Sequence, residues 1–240
     1  MKQALRAEWS KTWSDRGTSW LLAGLVVATV AVSLATIAAS SGGDPAKLSL
    51  TGLYLGQVIA AVAGVLAIGG EYGTGMIRVS LTAIPRRLEL LAAKALVLAG
   101  TVAVASAVAV GTCLLAGWLS LPGHWFGPAD WRAAFCSAGY LTLIAVLSLG
   151  VTAVVRDSAV AAGVVLGLLF LFPILITAVS DHTLVRHLEQ ISPLLAGQDL
   201  QATTGLSSLP LAPWPALGVV ALWAAAALTA GGLALCGRDA

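Results

Sequence analysis

Apolar residues fall along this chain in long blocks, not in the narrow stripes of a soluble amphipathic helix. The clearest block runs from Trp20 to about Ala39 and contains no charged residue. Twenty residues in an α-helix rise about 30 Å, which matches the hydrocarbon core of a bilayer. Comparable blocks cover residues 53–70, 95–119, 134–155, 158–179 and 214–236. The pattern predicts an all-α fold, a polytopic membrane protein with six transmembrane helices at 20–39 and at those five positions. No repeat divides the chain, so residues 1–240 read as a single transmembrane domain.

The connections between the blocks carry their own patterns. Residues 1–19 read MKQALRAEWSKTWSDRGTS, and Leu5, Trp9 and Trp13 recur at every fourth position. They form one apolar strip, with Arg6, Ser10, Lys11, Ser14 and Asp15 on the rest of the circumference. This predicts an N-terminal amphipathic interfacial helix whose partner is membrane lipid. The block that follows is too long for the apolar region of a cleavable signal peptide. Gly52, Gly56 and Ala60 lay a small-residue face on the second span for close helix packing. Trp125 and Trp131 are expected to anchor the 120–133 loop at an interface, and Pro173 to kink the fifth span. The longest polar connection, 180–213, holds Asp181, His182, Arg186, His187 and Glu189. Its two histidines are five apart, a poor spacing for a helical metal pair. A solvated outer loop with a short surface or re-entrant helix is expected there.

Charge adds a direction. Hydrophobic residues make up 58% of the chain and charged residues 10%, against about 25% charged in a soluble domain. Lys2, Arg6, Lys11, Arg16, Arg78, Arg86, Arg87, Lys94, Arg156 and Arg238 fall on one side of the predicted spans, and only Lys47, Arg132 and Arg186 on the other. By the positive-inside rule both termini and the 71–94 connection are cytoplasmic, in a multi-pass protein of the cell membrane. Nothing in this charge pattern points to nucleic acid. Cys113, Cys136 and Cys236 each lie in or beside an apolar run, without metal-ligand spacing. Buried small hydrophobes and a Cys113–Cys136 bridge near the outer face both fit.

The predicted spans contain no Asp, Glu, Lys or Arg. Ion-coupled transporters need ionisable groups at membrane depth, and bilayer enzymes need a polar catalytic set, so both classes are disfavoured. Gln57 is the most polar side chain expected inside, and interhelical hydrogen bonding is its expected role. None of the four lysines sits in a GxxxxGK[ST] phosphate-binding loop. The chain is therefore not expected to be an enzyme, to hold a metal or to carry a cofactor. Any ATP hydrolysis belongs to a separate chain.

Such a chain needs a handle, and the stretch Glu71–Arg87, EYGTGMIRVSLTAIPRR, is the densest run of charge and turn chemistry present. Thr74 is an N-cap candidate. Residues 75–83 suit about two helical turns, with Ile77, Leu81 and Ile84 on one face and Arg78 and Thr82 on the other. Pro85 ends the helix by disfavouring helical backbone at Ile84. Arg86, Arg87 and Lys94 then lead into the third span, where they can snorkel to the surface. Glu71 is expected to pair with a basic residue at the span end or to contact a partner. A short helix pinned between two spans can pass a push into both; an ordinary basic loop that only sets topology fits the same residues.

Glu71 at the end of the second span, then Gly73–Thr74, Arg78 and Pro85–Arg86–Arg87, resemble the permease subunits of ABC (ATP-binding-cassette) exporters of the type-2 family. The lead-in LRAEWSKTWSDRGTSW, Leu5–Trp20, is similar to that of many actinobacterial members, and the six-span layout fits the whole length. The resemblance implies a short cytoplasmic coupling helix between the second and third spans that enters a cleft in an ATPase subunit. Glu71, Thr74, Ile77, Arg78, Leu81, Pro85, Arg86 and Arg87 would be the partner-coupling residues. It further implies a permease homodimer or heterodimer, with ATP and Mg on the partner ATPase, exporting amphipathic or hydrophobic cargo such as a drug, lipid or peptide. In related permeases the region after the fifth span holds short outer helices that dip back into the membrane, as Leu194–Leu195–Ala196 is suited to do. A membrane anchor or immunity protein without transport is the alternative.

Single-cysteine labelling tests the topology on a background lacking Cys113, Cys136 and Cys236. Arg87→Cys should resist an impermeant thiol reagent in intact cells and react only after lysis; labelling without lysis would reverse the assignment.

Overall fold

A computed structural model of the chain describes residues 2–40, 45–76, 87–120, 127–204, 206 and 209–237. Among them the secondary structure is helical throughout, without a strand. The order is α1 (Lys2–Ser14), α2 (Arg16–Ala39), α3 (Pro45–Leu50), α4 (Leu53–Thr74), α5 (Arg87–Ser120) and α6 (Pro128–Val155). Then follow α7 (Ser158–Leu166), a π-helical turn (Gly167–Leu171), α8 (Phe172–Thr177), α9 (His182–Ile191), α10 (Pro193–Gln201) and α11 (Pro213–Gly237). Among the described residues six helices are long and apolar enough to cross a membrane: α2, α3–α4, α5, α6, α7–α8 and α11. The chain is a multi-pass helical membrane protein.

Several helices overrun the predicted spans where the chain carries charge. The third begins at Arg87, not Ala95, and the fourth at Pro128, not Ala134. Hydropathy falls at the first charged residue, but the backbone hydrogen-bond ladder continues wherever the side chains find partners. Glu71, Lys94 and Asp130 consequently lie inside long helices and are buried, just beyond the bounds of the charge-free spans that hydropathy marks. All three sit toward helix ends, and the middles carry none.

Local chemistry sets the breaks. Asp15 separates α1 from α2; its carboxylate accepts hydrogen bonds from Gly17 N (3.0 Å) and Thr18 N (3.2 Å), two of the orphan donors at the start of α2. Arg156 ends α6 in the left-handed region (φ 64°), unusual for a residue with a Cβ. Asp157 then caps α7 by accepting from Val160 N at 2.8 Å. Before Pro173 the fifth span loosens into the π-helical turn, where Phe172 N bonds Gly167 O, five residues back. Pro173 has no N–H to continue the ordinary ladder, so the expected distortion takes this form.

α4 and α6 form the centre. Leu141, Ile144, Leu147 and Leu149 of α6 are fully buried, with α4, α5, α7, α10 and α11 packed around that helix. Small residues allow the close approach. A Cβ on Gly52 would overlap the Thr29 carbonyl of α2, and one on Gly64 the Ala145 carbonyl of α6. Gln57 does bond between helices: Tyr140 Oη donates to its Oε1 at 2.5 Å. Cys113 and Cys136 are buried and free, so the bridge does not form.

The 180–213 stretch is more than a solvated loop. α9 is mostly exposed, but α10 lies against α11 and α6 with Leu194, Ala196 and Leu200 buried. Arg132 of α6 donates from Nη2 to Ala202 O at 2.7 Å, closing the C-terminal end of α10. Asp199 on α10 is buried, and that burial pushes its pKa up to about 6; Glu189 adds to the rise and the Leu211 N–H opposes it.

Gly64→Val should lower the melting temperature of the detergent-solubilised protein, since overpacking costs about 1–3 kcal/mol or more. Gly70→Ala, on a face with nothing within 4 Å, should leave the melting temperature unchanged or raise it slightly. Equal melting curves for the two variants would refute the close α4–α6 approach.

Candidate functional site: a buried ion network

Glu71 lies in the last turn of α4, and only 5% of it is exposed. A carboxylate at a helix C-terminus faces the negative end of the macrodipole, and burial adds a desolvation cost. It needs cations, and two arrive from other helices. Lys94 Nζ stands 2.7 Å from Glu71 Oε1, and Lys11 Nζ donates to the same oxygen. Lys94 Nζ also bonds Glu8 Oε2 at 3.0 Å. Four alternating charges thus join α1, α4 and α5.

The placement of each residue follows from helical spacing. Lys94 lies about two turns into α5, on the same stripe as the buried Leu90, Leu91, Val97 and Leu98. Its ammonium cannot snorkel outward, because its own helix face is the packed one. Glu8 and Lys11 are three apart on α1, and Glu8 is four beyond the buried Ala4. α1 therefore turns its charged face inward onto α5 and leaves Trp9 and Trp13 outward, their rings 5.9 Å apart edge to face.

A second set of contacts closes the same end of the bundle. Arg87 Nη1 donates to Leu235 O at 2.6 Å, and Arg156 Nη2 to Ala234 O at 3.0 Å. Both carbonyls belong to the last turn of α11, where unpaired acceptors and the helix dipole favour cations. The Arg156 guanidinium also stands 6.0 Å from the centre of the Tyr72 ring, next in sequence to Glu71.

The predicted coupling residues divide accordingly. Glu71 takes the first of its two expected roles, pairing with basic residues at the span end. Thr74 is the last residue of α4: its hydroxyl donates back to Gly70 O at 2.8 Å, and Gly75 (φ 71°) terminates α4 behind it. Arg87 is the first residue of α5 and is tied to α11. Ile77, Arg78, Leu81, Pro85 and Arg86, with the short helix expected there, lie outside the described residues. Glu8 was not among the expected site residues, and Lys11 and Lys94 were expected only as surface cations. The signal for Lys94 was present in its i−4, i−3, i+3 and i+4 apolar neighbours. No protein-family model and no curated protein matches the chain.

Removing Lys94 leaves Glu71 buried with only Lys11, whose side chain is 45% exposed. Breaking one partner of a buried pair costs about 3–5 kcal/mol. Lys94→Met should therefore lower the melting temperature far more than Lys11→Met, and Glu71→Leu combined with Lys94→Met should cost less than the sum of the two single changes. Strict additivity in this cycle would show that the two side chains do not interact.

Proposed function

We propose that this chain is the membrane-spanning permease subunit of an ATP-driven ABC exporter of the type-2 kind. The supporting observation is the ion network beside the 77–86 connection. Glu71 precedes that connection by six residues and Lys94 follows it by eight, about two turns, and the two are bonded to each other. A force applied to the connection therefore reaches α4 and α5 together, and through Glu8 and Lys11 it reaches α1. That is the mechanical requirement for coupling to a separate motor, and the sequence lacks a phosphate-binding loop of its own.

In this reading the end of the bundle bearing α1, Arg87 and Arg156 faces the cytoplasm of the cell membrane, as the distribution of Lys and Arg favours. α1 lies at the interface with Trp9 and Trp13 in the headgroup layer. Residues 74–84 dock in a cleft of an ATPase subunit, which binds ATP and Mg. The outward faces of α2, α7–α8 and α11 are extensively exposed in the single chain and meet lipid or a second permease copy. A path between two such copies would be apolar and suits amphipathic or hydrophobic cargo.

The test is Leu81→Asp. A carboxylate held unpaired against a partner surface costs on the order of several kcal/mol, while membrane insertion and span number should survive. The variant should lose the ATPase that copurifies with the wild-type chain, or its stimulated turnover, and Arg78→Ala should lose much less. Copurification and transport at wild-type level in Leu81→Asp would leave the connection a topogenic tether; absence of any ATPase copurifying with the wild-type chain would favour the anchor reading.

A further inference from the structure

α1 rests on α5 by its inward face, where Glu8 holds Lys94 at 3.0 Å. A short helix lying against a membrane-crossing one leaves an elbow on the side away from that bond. Here the elbow is an open groove of about 600 Å³, within the range of small-molecule sites, about 300–1,000 Å³. Leu5 and Trp9 of α1 form one wall, and Leu96 and Gly100 of α5 the other. The α5 wall continues beyond the groove. Leu96, Val104 and Val108 are exposed on one stripe of a helix long and apolar enough to cross a membrane. Gly100 leaves a notch in that stripe, with nothing within 4 Å of the place where a side chain would begin. The walls suit a hydrocarbon tail.

The rim of the groove has the opposite character. Arg6 and Ser10 line it from α1, one turn apart. Lys2 lies one turn further back on the same stripe, and all three are exposed. No carboxylate lines the groove. Among the described residues Arg6 makes no ion pair, and Glu8, the one acidic residue of α1, is turned to Lys94. The edge of an apolar groove thus carries two positive charges and a hydroxyl with nothing beside them to neutralise the charge. That pattern is complementary to a phosphate attached to a tail. A zwitterionic head would bring its own ammonium close to Arg6 and Lys2 and cancel much of the attraction, whereas an anionic head brings only the phosphate.

We propose that this groove binds one anionic phospholipid, its phosphate accepting from Arg6 and Ser10 with Lys2 alongside, and one tail lying between Trp9 and Gly100 and on along α5. The site rests on the interfacial placement of α1 and goes beyond the exporter reading, because binding to the chain alone requires no ATPase. It gives α1 a second anchor: the Glu8 face is held by protein and the Arg6 edge by lipid.

Native mass spectrometry on the purified full-length protein tests it, with no ATPase present and in mixed micelles holding equimolar phosphatidylglycerol and phosphatidylcholine with the same tails. A Lys or Arg beside an anionic head changes affinity about fivefold. The wild-type chain should therefore retain phosphatidylglycerol over phosphatidylcholine by about fivefold or more. Arg6→Gln should lower that ratio about fivefold, and Arg16→Gln, which removes a cation that does not line the groove, should leave it unchanged. Gly100→Phe fills the notch and should reduce the phosphatidylglycerol retained to a small fraction of the wild-type amount. All three positions are exposed, so the melting temperatures of the variants in lipid-free detergent should match wild type. Equal retention of the two lipids by the wild-type chain, an unchanged ratio in Arg6→Gln, the same loss in Arg16→Gln as in Arg6→Gln, or wild-type retention in Gly100→Phe each overturns the proposal. None of these outcomes bears on whether Leu81→Asp uncouples an ATPase.

Discussion

The pairing of Glu71 with Lys94 is the interaction on which the basic end of the bundle depends. Each charge alone would be badly placed, a carboxylate at the C-terminal turn of α4 and an ammonium on the packed face of α5. Together, at 2.7 Å, they neutralise one another in a region that excludes water. The desolvation cost of two buried charges is offset only when geometry and further hydrogen bonds are good. Glu8 and Lys11 supply those further bonds. The N-terminal helix is thereby recruited as part of the structure, held by its charged face and not by its tryptophans.

The same logic of wrong or orphaned charge being met from another helix recurs around that end. The last carbonyls of α11 receive Arg87 and Arg156, which start α5 and end α6. At the opposite end Arg132 does the same for α10. Between the two ends the packing relies on shape. Gly52 and Gly64 let α2 and α6 approach α4 closely enough that any side chain there would collide with backbone, and Gln57 with Tyr140 supplies a polar link in the core. The result is a bundle whose middle is held by close contact and whose ends are held by charge. In the proposed permease this division places the parts that take a push at one end and an apolar, charge-free middle next to the cargo.

Six helices, their order and the all-α class were legible in the sequence, because hydropathy over twenty residues depends only on local composition. The small face at Gly52, Gly56 and Ala60 and the distortion at Pro173 were legible for the same reason: both are properties of the backbone near one residue. Helix ends were not. Lys94 looked like the edge of a loop, yet it lies within α5 and is buried. A lysine is soluble or buried according to what faces it, and what faces it comes from residues 8 and 71. The inward face of α1 was hidden likewise. Leu5, Trp9 and Trp13 make the more obvious stripe, and only the presence of α5 alongside makes Ala4, Glu8 and Lys11 the packed one. The buried network of Glu8, Lys11, Glu71 and Lys94 is a product of three helices meeting, which no periodicity encodes. What the sequence determined by itself was therefore everything set by nearest neighbours along the chain: class, number of spans and points of close approach. Which charges meet was decided by the tertiary structure, because electrostatic pairing depends on distance in space and these partners stand 23 to 86 residues apart in the chain.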